Sequence, residues 1–211
     1  MSTDELTALI REAFSHTDHP GDGFLLGSRE GEDAFEAVEP FRGHTDWSTV
    51  DHTVLDENYD ALSFLSEGGF RFFLPAFLVA DINGRLETAD PVFHLAGSFH
   101  DTTVRVPIAD DVLEKRIGRS VLLNPRRFGA MTFEDYARFR LSVFTRTEAA
   151  GIVAYLEYRR SLPDALDREE IEAALDMFWR DRASNAPTQR DLAGHIEAEA
   201  DFLRRIGEGL D

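Results

Sequence analysis

Apolar residues crowd most densely between Leu62 and Ile82, in LSFLSEGGFRFFLPAFLVADI, which holds five of the 17 phenylalanines. Ser66 is a good helix N-cap, and Phe70, Phe73, Leu74, Phe77, Leu78 and Ile82 share one helical face. Phe72, Ala76 and Val79 make the other sides apolar too, so the pattern predicts a helix buried nearly all round. Pro75 has no N–H for the Arg71 carbonyl and pushes Leu74 out of the α region, which predicts a kink or a restart there. Asn83-Gly84 ends the helix.

Helical periodicity also marks Thr3 to Ser15, where Leu6, Leu9, Ile10 and Phe14 recur and Ser2 and Glu5 have capping-box spacing. A second capping box, Thr145 with Glu148, opens a helix from Arg146 to Arg160 with Ala149, Ile152, Val153 and Leu156 on its buried face. Helices are further expected over Glu32 to Phe41, within Thr45 to Asp60 and over Thr132 to Thr145. Two more, Arg168 to Ala183 and Thr188 to Ile206, form an αα-hairpin across Ala186-Pro187. Residues 90 to 131 change character. Val92 to Leu95 is a short apolar run, Thr103 to Ile108 alternates, and Ser120 to Leu123 reads as a further short strand. Pro107 restricts the alternating strand to an edge or an end. The expected class is α+β and predominantly helical: a helical core, a small β-hairpin or sheet, and a C-terminal αα-hairpin. Residues 1–160 form the main domain, with an insertion at about 100–131, and 161–211 pack on it as the hairpin.

Charge narrows the partners. The chain carries 40 acidic against 22 basic residues, a net charge of −18. Such a field repels phosphate and disfavours nucleic acid and anionic membrane surfaces, while it steers a basic partner inward. From Ser161 onward 13 acidic residues face six basic ones, so the hairpin does not read as a DNA-binding helix pair. One lysine stands against 21 arginines, which fits a GC-rich bacterial genome, and the acidity also fits a salt-adapted host. With no cysteine, thiol nucleophiles, Cys-ligated zinc and iron–sulfur clusters are excluded. The N-terminus lacks a basic signal region, and the longest uncharged apolar run, Phe72 to Ala80, is too short to span a bilayer. A cytoplasmic location is the expectation.

The turn Pro20-Gly21-Asp22, the single Trp47 after it, Leu62-Ser63-Phe64-Leu65 and the run FRFFLPAF from Phe70 to Phe77 together resemble a family of small bacterial proteins catalogued as a domain of unknown function. The resemblance covers about residues 1–160. It implies a fold unit and carries over no catalytic residue.

Candidate chemistry is sparse. His19 and Asp22 flank the Pro-Gly-Asp turn as polar groups for a ligand, but a phosphate loop needs a Lys and more glycines. Asp81 interrupts the apolar face of the central helix, with Arg71 or another arginine as its expected partner. His94, His100 and Asp101 would meet as metal ligands if a hairpin formed around Gly97. Trp179 is a candidate anchor for a partner or for a homodimer through residues 168–206. No catalytic motif and no cofactor is implied. The leading expectation is a non-enzymatic binding, adaptor or immunity-type protein for a basic partner. The alternatives are a hydrolase or metal-dependent enzyme built from scattered Asp, Glu and His, and a structural subunit dimerising through the C-terminal hairpin.

Overall fold

The computed structural model describes residues 1–27, 31–99, 103–108, 111–116, 121–124, 129–163 and 165–186, with short pieces at 194, 197–198, 201–202 and 204–205. Both expected capping boxes form. Ser2 caps α1 (Thr3–Ala13) with Glu5 closing the box, and Thr145 caps α8 (Arg146–Ser161) with Glu148. Between them lie the short helices α2 (Asp33–Val38), α3 (His52–Glu57) and α4 (Ala61–Phe64), the central α5 (Glu67–Ile82), then α6 (Pro91–Ala96) and α7 (Phe133–Leu141). After α8 the chain continues as α9 (Arg168–Ala174), a π-helical turn over Leu175–Trp179, and α10 (Arg180–Asn185).

Helix α5 is the axis of the fold. Every residue in it is buried except Val79 and Asp81, which are partly buried. It runs without a break through Pro75, which corrects the expected restart. One missing N–H costs about 3 kcal/mol in an ordinary helix interior. Burial of Phe70, Phe73 and Phe77, each worth about 1.5–3 kcal/mol, offsets that cost. The helix entry is fixed by a strand-like contact. Ser66 N–H donates to the Leu25 carbonyl and Gly27 N–H to the Phe64 carbonyl, both at 2.7 Å. A Cβ on Gly27 would sit 2.8 Å from the Leu65 carbonyl oxygen, so only glycine fits this approach.

α1 packs on both α5 and α8. It packs tightly on α8 at Gly151, where a Cβ would meet Ala13 Cβ at 3.2 Å and Ile10 Cδ1 at 3.4 Å. Long side chains tie α5 to α8 at two levels: Arg71 to Glu148, and Asp81 to Tyr155 and Arg159. Both pairings advance in the same chain direction, so the two helices run parallel. The charge order reverses between the levels, Arg to Glu at one and Asp to Arg at the other, so a register slip would set charges of one sign against each other.

The fold is all-α, which corrects the α+β expectation. The residues that make up the described core all lie on helices or on the connections between them. The β1 segment (Thr103–Ile108) pairs antiparallel with β2 (Asp111–Arg116), and β3 (Val121–Asn124) with β4 (Gly129–Thr132), as two separate ladders that do not join. Alternation along Thr103 to Ile108 is a local signal. Fold class is decided by the elements that fill the core, and those are helices. The short apolar run Val92 to Leu95 belongs to one of them, α6. Most of the expected helix Thr188 to Ile206 lies outside the described residues. Among the described residues no helix is long and apolar enough to cross a membrane.

Candidate functional site

The start of α6 carries the site. Asp90 is its N-cap, with Oδ1 accepting from the Val92 N–H at 2.9 Å, and Pro91 sits at the first helical position, where its missing N–H costs nothing. The opposite wall comes from the start of α9. Between them lies a cleft of about 310 Å³ lined by Asp90, Val92, Phe93, Ala96, Gly97, Asp167 and Glu170. Among the described residues no arginine or lysine lines it. Phe93 stands at its edge with 67% of its surface exposed.

Below the cleft, Asp81 accepts from the Tyr155 hydroxyl at 2.7 Å through Oδ2 and from Arg159 Nη1 at 2.5 Å through Oδ1. Tyr155 is fully buried, and burial followed by the Asp81 charge pushes its hydroxyl far above the ordinary tyrosine range, so it remains a donor. Burial also raises the Asp90 carboxyl, and the Asp167 charge adds to it; the Val92 N–H and the Arg159 guanidinium oppose the rise. Arg159 is already paired with Asp81, and its buried Nε has no hydrogen-bond partner. Asp90 and Asp167 therefore face the cleft over one guanidinium that another carboxylate holds, beside Glu170, which has a partner of its own. The arrangement suits a cation, and Phe93 offers a ring face or edge to its apolar stem.

Of the residues singled out in the sequence, only Asp81 belongs here. Arg71 pairs with Glu148 instead: Nε lies 3.0 Å from each carboxylate oxygen, Nη2 lies 3.0 Å from Oε1, and both side chains are buried. His19 serves its own turn, and Asp22 ties that turn to Gly43. The His19 Nδ1 accepts from Gly21 N–H at 3.0 Å, its ring packs edge-on against Phe72, and Asp22 Oδ1 accepts from Gly43 N–H at 3.1 Å. Trp179 is fully buried in its own chain, and its indole N–H donates to the Leu95 carbonyl at 2.9 Å.

His100 and Asp101 lie outside the described residues. Their proposed companion, His94, packs against Phe93 and Phe70, and burial first, then the Arg140 charge, holds its pKa down to about 4. His94 is thus neutral in the folded protein where an unfolded chain would be protonated. The folded pKa is depressed, so the unfolded state binds the extra proton first and folding stability drops as pH falls from about 6.5 to about 4. Urea midpoints at pH 7 and pH 4.5 should show a larger loss for the wild type than for His94→Gln. Equal losses would refute a partly buried, neutral His94.

Tyr155, Arg159, Asp90, Phe93, Asp167 and Glu170 were not picked out from sequence. Asp90-Pro91 did carry a signal, the N-cap and N1 pair, but that pattern announces a helix start and not a cleft.

Comparison with curated proteins finds no match, and comparison with solved structures finds none. A family model does match, described as a family of unknown function (DUF6714), over residues 2–183. That span runs past the expected limit near residue 160 and takes in α9 and the π-helical turn, whose Trp179 is built into the same core. The match covers most of the protein, and the chain belongs to this family of unknown function.

Proposed function

We propose that the protein is a non-enzymatic binding or immunity-type protein of the bacterial cytoplasm, whose partner is a basic protein that inserts an arginine or lysine side chain between α6 and α9. The observation that carries this reading is the cleft itself: Asp90 and Asp167 line it, no arginine or lysine does among the described residues, and Phe93 stands exposed at its edge. The net charge of −18 would bring such a partner in at raised rates, and the cleft would supply the register that net charge lacks.

A short peptide with a single arginine is the probe, titrated by calorimetry at low salt. Wild type should bind it, and Phe93→Ala combined with Asp90→Asn and Asp167→Asn should weaken binding at least about tenfold, a change of 1.4 kcal/mol. A control with the exposed Glu12 and Glu36 changed to Gln loses the same charge elsewhere and should bind as wild type does. No binding, or an equal loss in the control, would overturn the reading. A hydrolase reading draws on the same place, because a carboxyl with a raised pKa in a cleft is what general acid catalysis uses. Turnover that Asp90→Asn abolishes while peptide binding persists would favour it.

A further inference from the structure

A second cleft, of about 300 Å³, opens against α5 and has the opposite chemistry. Its floor is apolar. Ala76 and Ala80 sit one turn apart on α5, and their short side chains leave a hollow that Leu55 and Val79 complete. Trp47 forms one wall, on a 3₁₀ turn over Trp47–Thr49 that Asp46 caps. The rim carries Arg11 from α1, Arg85 from the loop after α5, His52 from α3, and Asn83.

Several of the described arginines are engaged by a carboxylate, as Arg42 is by Glu39, Arg138 by Glu134 and Arg159 by Asp81, or by backbone carbonyls, as Arg140 is by Leu62 and Leu65 and Arg182 by Ser142 and Phe144. Arg11 has neither. It lies over the Trp47 ring, 5.8 Å from its centroid. Among the described residues Arg85 has no ion pair or side-chain hydrogen bond. The one carboxylate on the rim, Asp51, is already occupied. It caps α3 through the Thr53 N–H, accepts the Thr53 hydroxyl and lies 3.5 Å from His52 Nδ1. In a protein with a large excess of acid, two guanidinium groups without an ion pair beside an apolar hollow, Asp46 reaching Arg11 only through its charge, make a local positive field, strengthened by the low-dielectric floor.

We propose that this cleft binds a small organic oxyanion, its carboxylate or phosphate held between Arg11 and Arg85 and a single-ring or short aliphatic body seated over Ala76 and Ala80. Guanidinium groups match both oxyanions in planar, bidentate geometry. A volume near 300 Å³ is at the lower end for ligand pockets, which limits the body to about one ring. Asn83 is turned away from this task, since its amide donates to the Val79 carbonyl and to Thr7 Oγ1. The site does not depend on the acidic cleft between α6 and α9 and stands or falls separately.

Benzoate and phenyl phosphate are the probes, titrated into the full chain by calorimetry and by tryptophan fluorescence. Trp47 reports on the cleft, and the fully buried Trp179 supplies a constant background. Saturable binding with a Kd of about 1 mM or tighter is expected for at least one probe, and the stronger of the two identifies the oxyanion. Arg11→Ala with Arg85→Ala should weaken it at least tenfold, and neutral benzamide should not bind. Ala80→Leu, which fills the hollow from a position facing the cleft, should abolish binding while thermal unfolding stays within a few degrees of wild type. The proposal is overturned if neither probe saturates by about 10 mM, if benzamide binds as well as benzoate, or if the double arginine variant retains wild-type affinity. If Ala80→Leu unfolds the protein, the arginine variant alone decides.

Discussion

Arg71→Ala is expected to destabilise the protein by about 3–5 kcal/mol. The reason is what it leaves behind. Glu148 is buried and its carboxylate has four donors: Arg71 through Nε and Nη2, the Thr17 hydroxyl at 2.6 Å and the Thr145 N–H at 2.7 Å. Removing the guanidinium keeps the last two and strands a charge in the core. Glu148→Ala should cost at least as much, because it also opens the capping box of α8, worth about 1 kcal/mol. Arg71→Lys should recover only part of the loss, since an ammonium cannot reproduce the side-on contact of Nε with both oxygens. Arg71→Met with Glu148→Met should be milder than either single truncation, because no charge is then left unpaired. Urea unfolding of the four variants tests this order. A loss under about 1 kcal/mol for Arg71→Ala would mean that the pair is hydrated and not buried.

How much of this could be read from the chain depends on how far apart the partners lie. The two capping boxes are i, i+3 patterns, and both form as spaced. The all-round burial of α5 was also readable, because no face of it is polar. Pro75 misled because the rule against an internal proline prices one lost hydrogen bond and one clash, whereas the packing of a fully buried helix is a sum over all its neighbours. The α+β class failed for a related reason. Alternation along Thr103 to Ile108 specifies a ladder and says nothing of whether that ladder enters the core. Val92 to Leu95 stays undecided in the sequence because a four-residue apolar run fits a strand and a buried helix equally well. The cap Asp90 and the N1 residue Pro91 were the tie-breakers.

The candidate site was legible at one residue only. Asp81 stood out because it interrupts an apolar face. Its partners Tyr155 and Arg159 lie 74 and 78 positions away, one turn apart on α8. Arg71 finds Glu148 77 positions away. Sequence spacing has no means of pairing these, because the crossover between two parallel helices must be long and its length is not fixed by local chemistry. Both clefts are likewise made from distant elements, α6 with α9 in one and α1, α3 and α5 in the other. Charge composition pointed to a basic partner in general. It could not show that acid and base are segregated into separate clefts on one surface.

Trp179→Ala is expected to cost about 3–5 kcal/mol, and this result separates a core residue from a partner anchor. The indole is fully buried, its ring lies 5.8 Å from Phe144 and 5.0 Å from Phe178, and its N–H is the donor for the Leu95 carbonyl. The π-helical turn sets both aromatic side chains toward the core, where Phe178 stacks on Phe99. Three residues later Arg182 donates to the Ser142 and Phe144 carbonyls, which fixes the end of the α7–α8 connection. Alanine here therefore opens a cavity among aromatic rings and leaves the Leu95 carbonyl without its partner. Trp179→Phe fills most of the space but still loses the donor, so it should cost less, about 1–3 kcal/mol. Light scattering should give the same mass for wild type and Trp179→Phe, because the side chain contacts its own chain. If Trp179→Ala instead halves the mass while urea stability moves by less than about 1 kcal/mol, the residue is an interface anchor and its burial in this core is wrong.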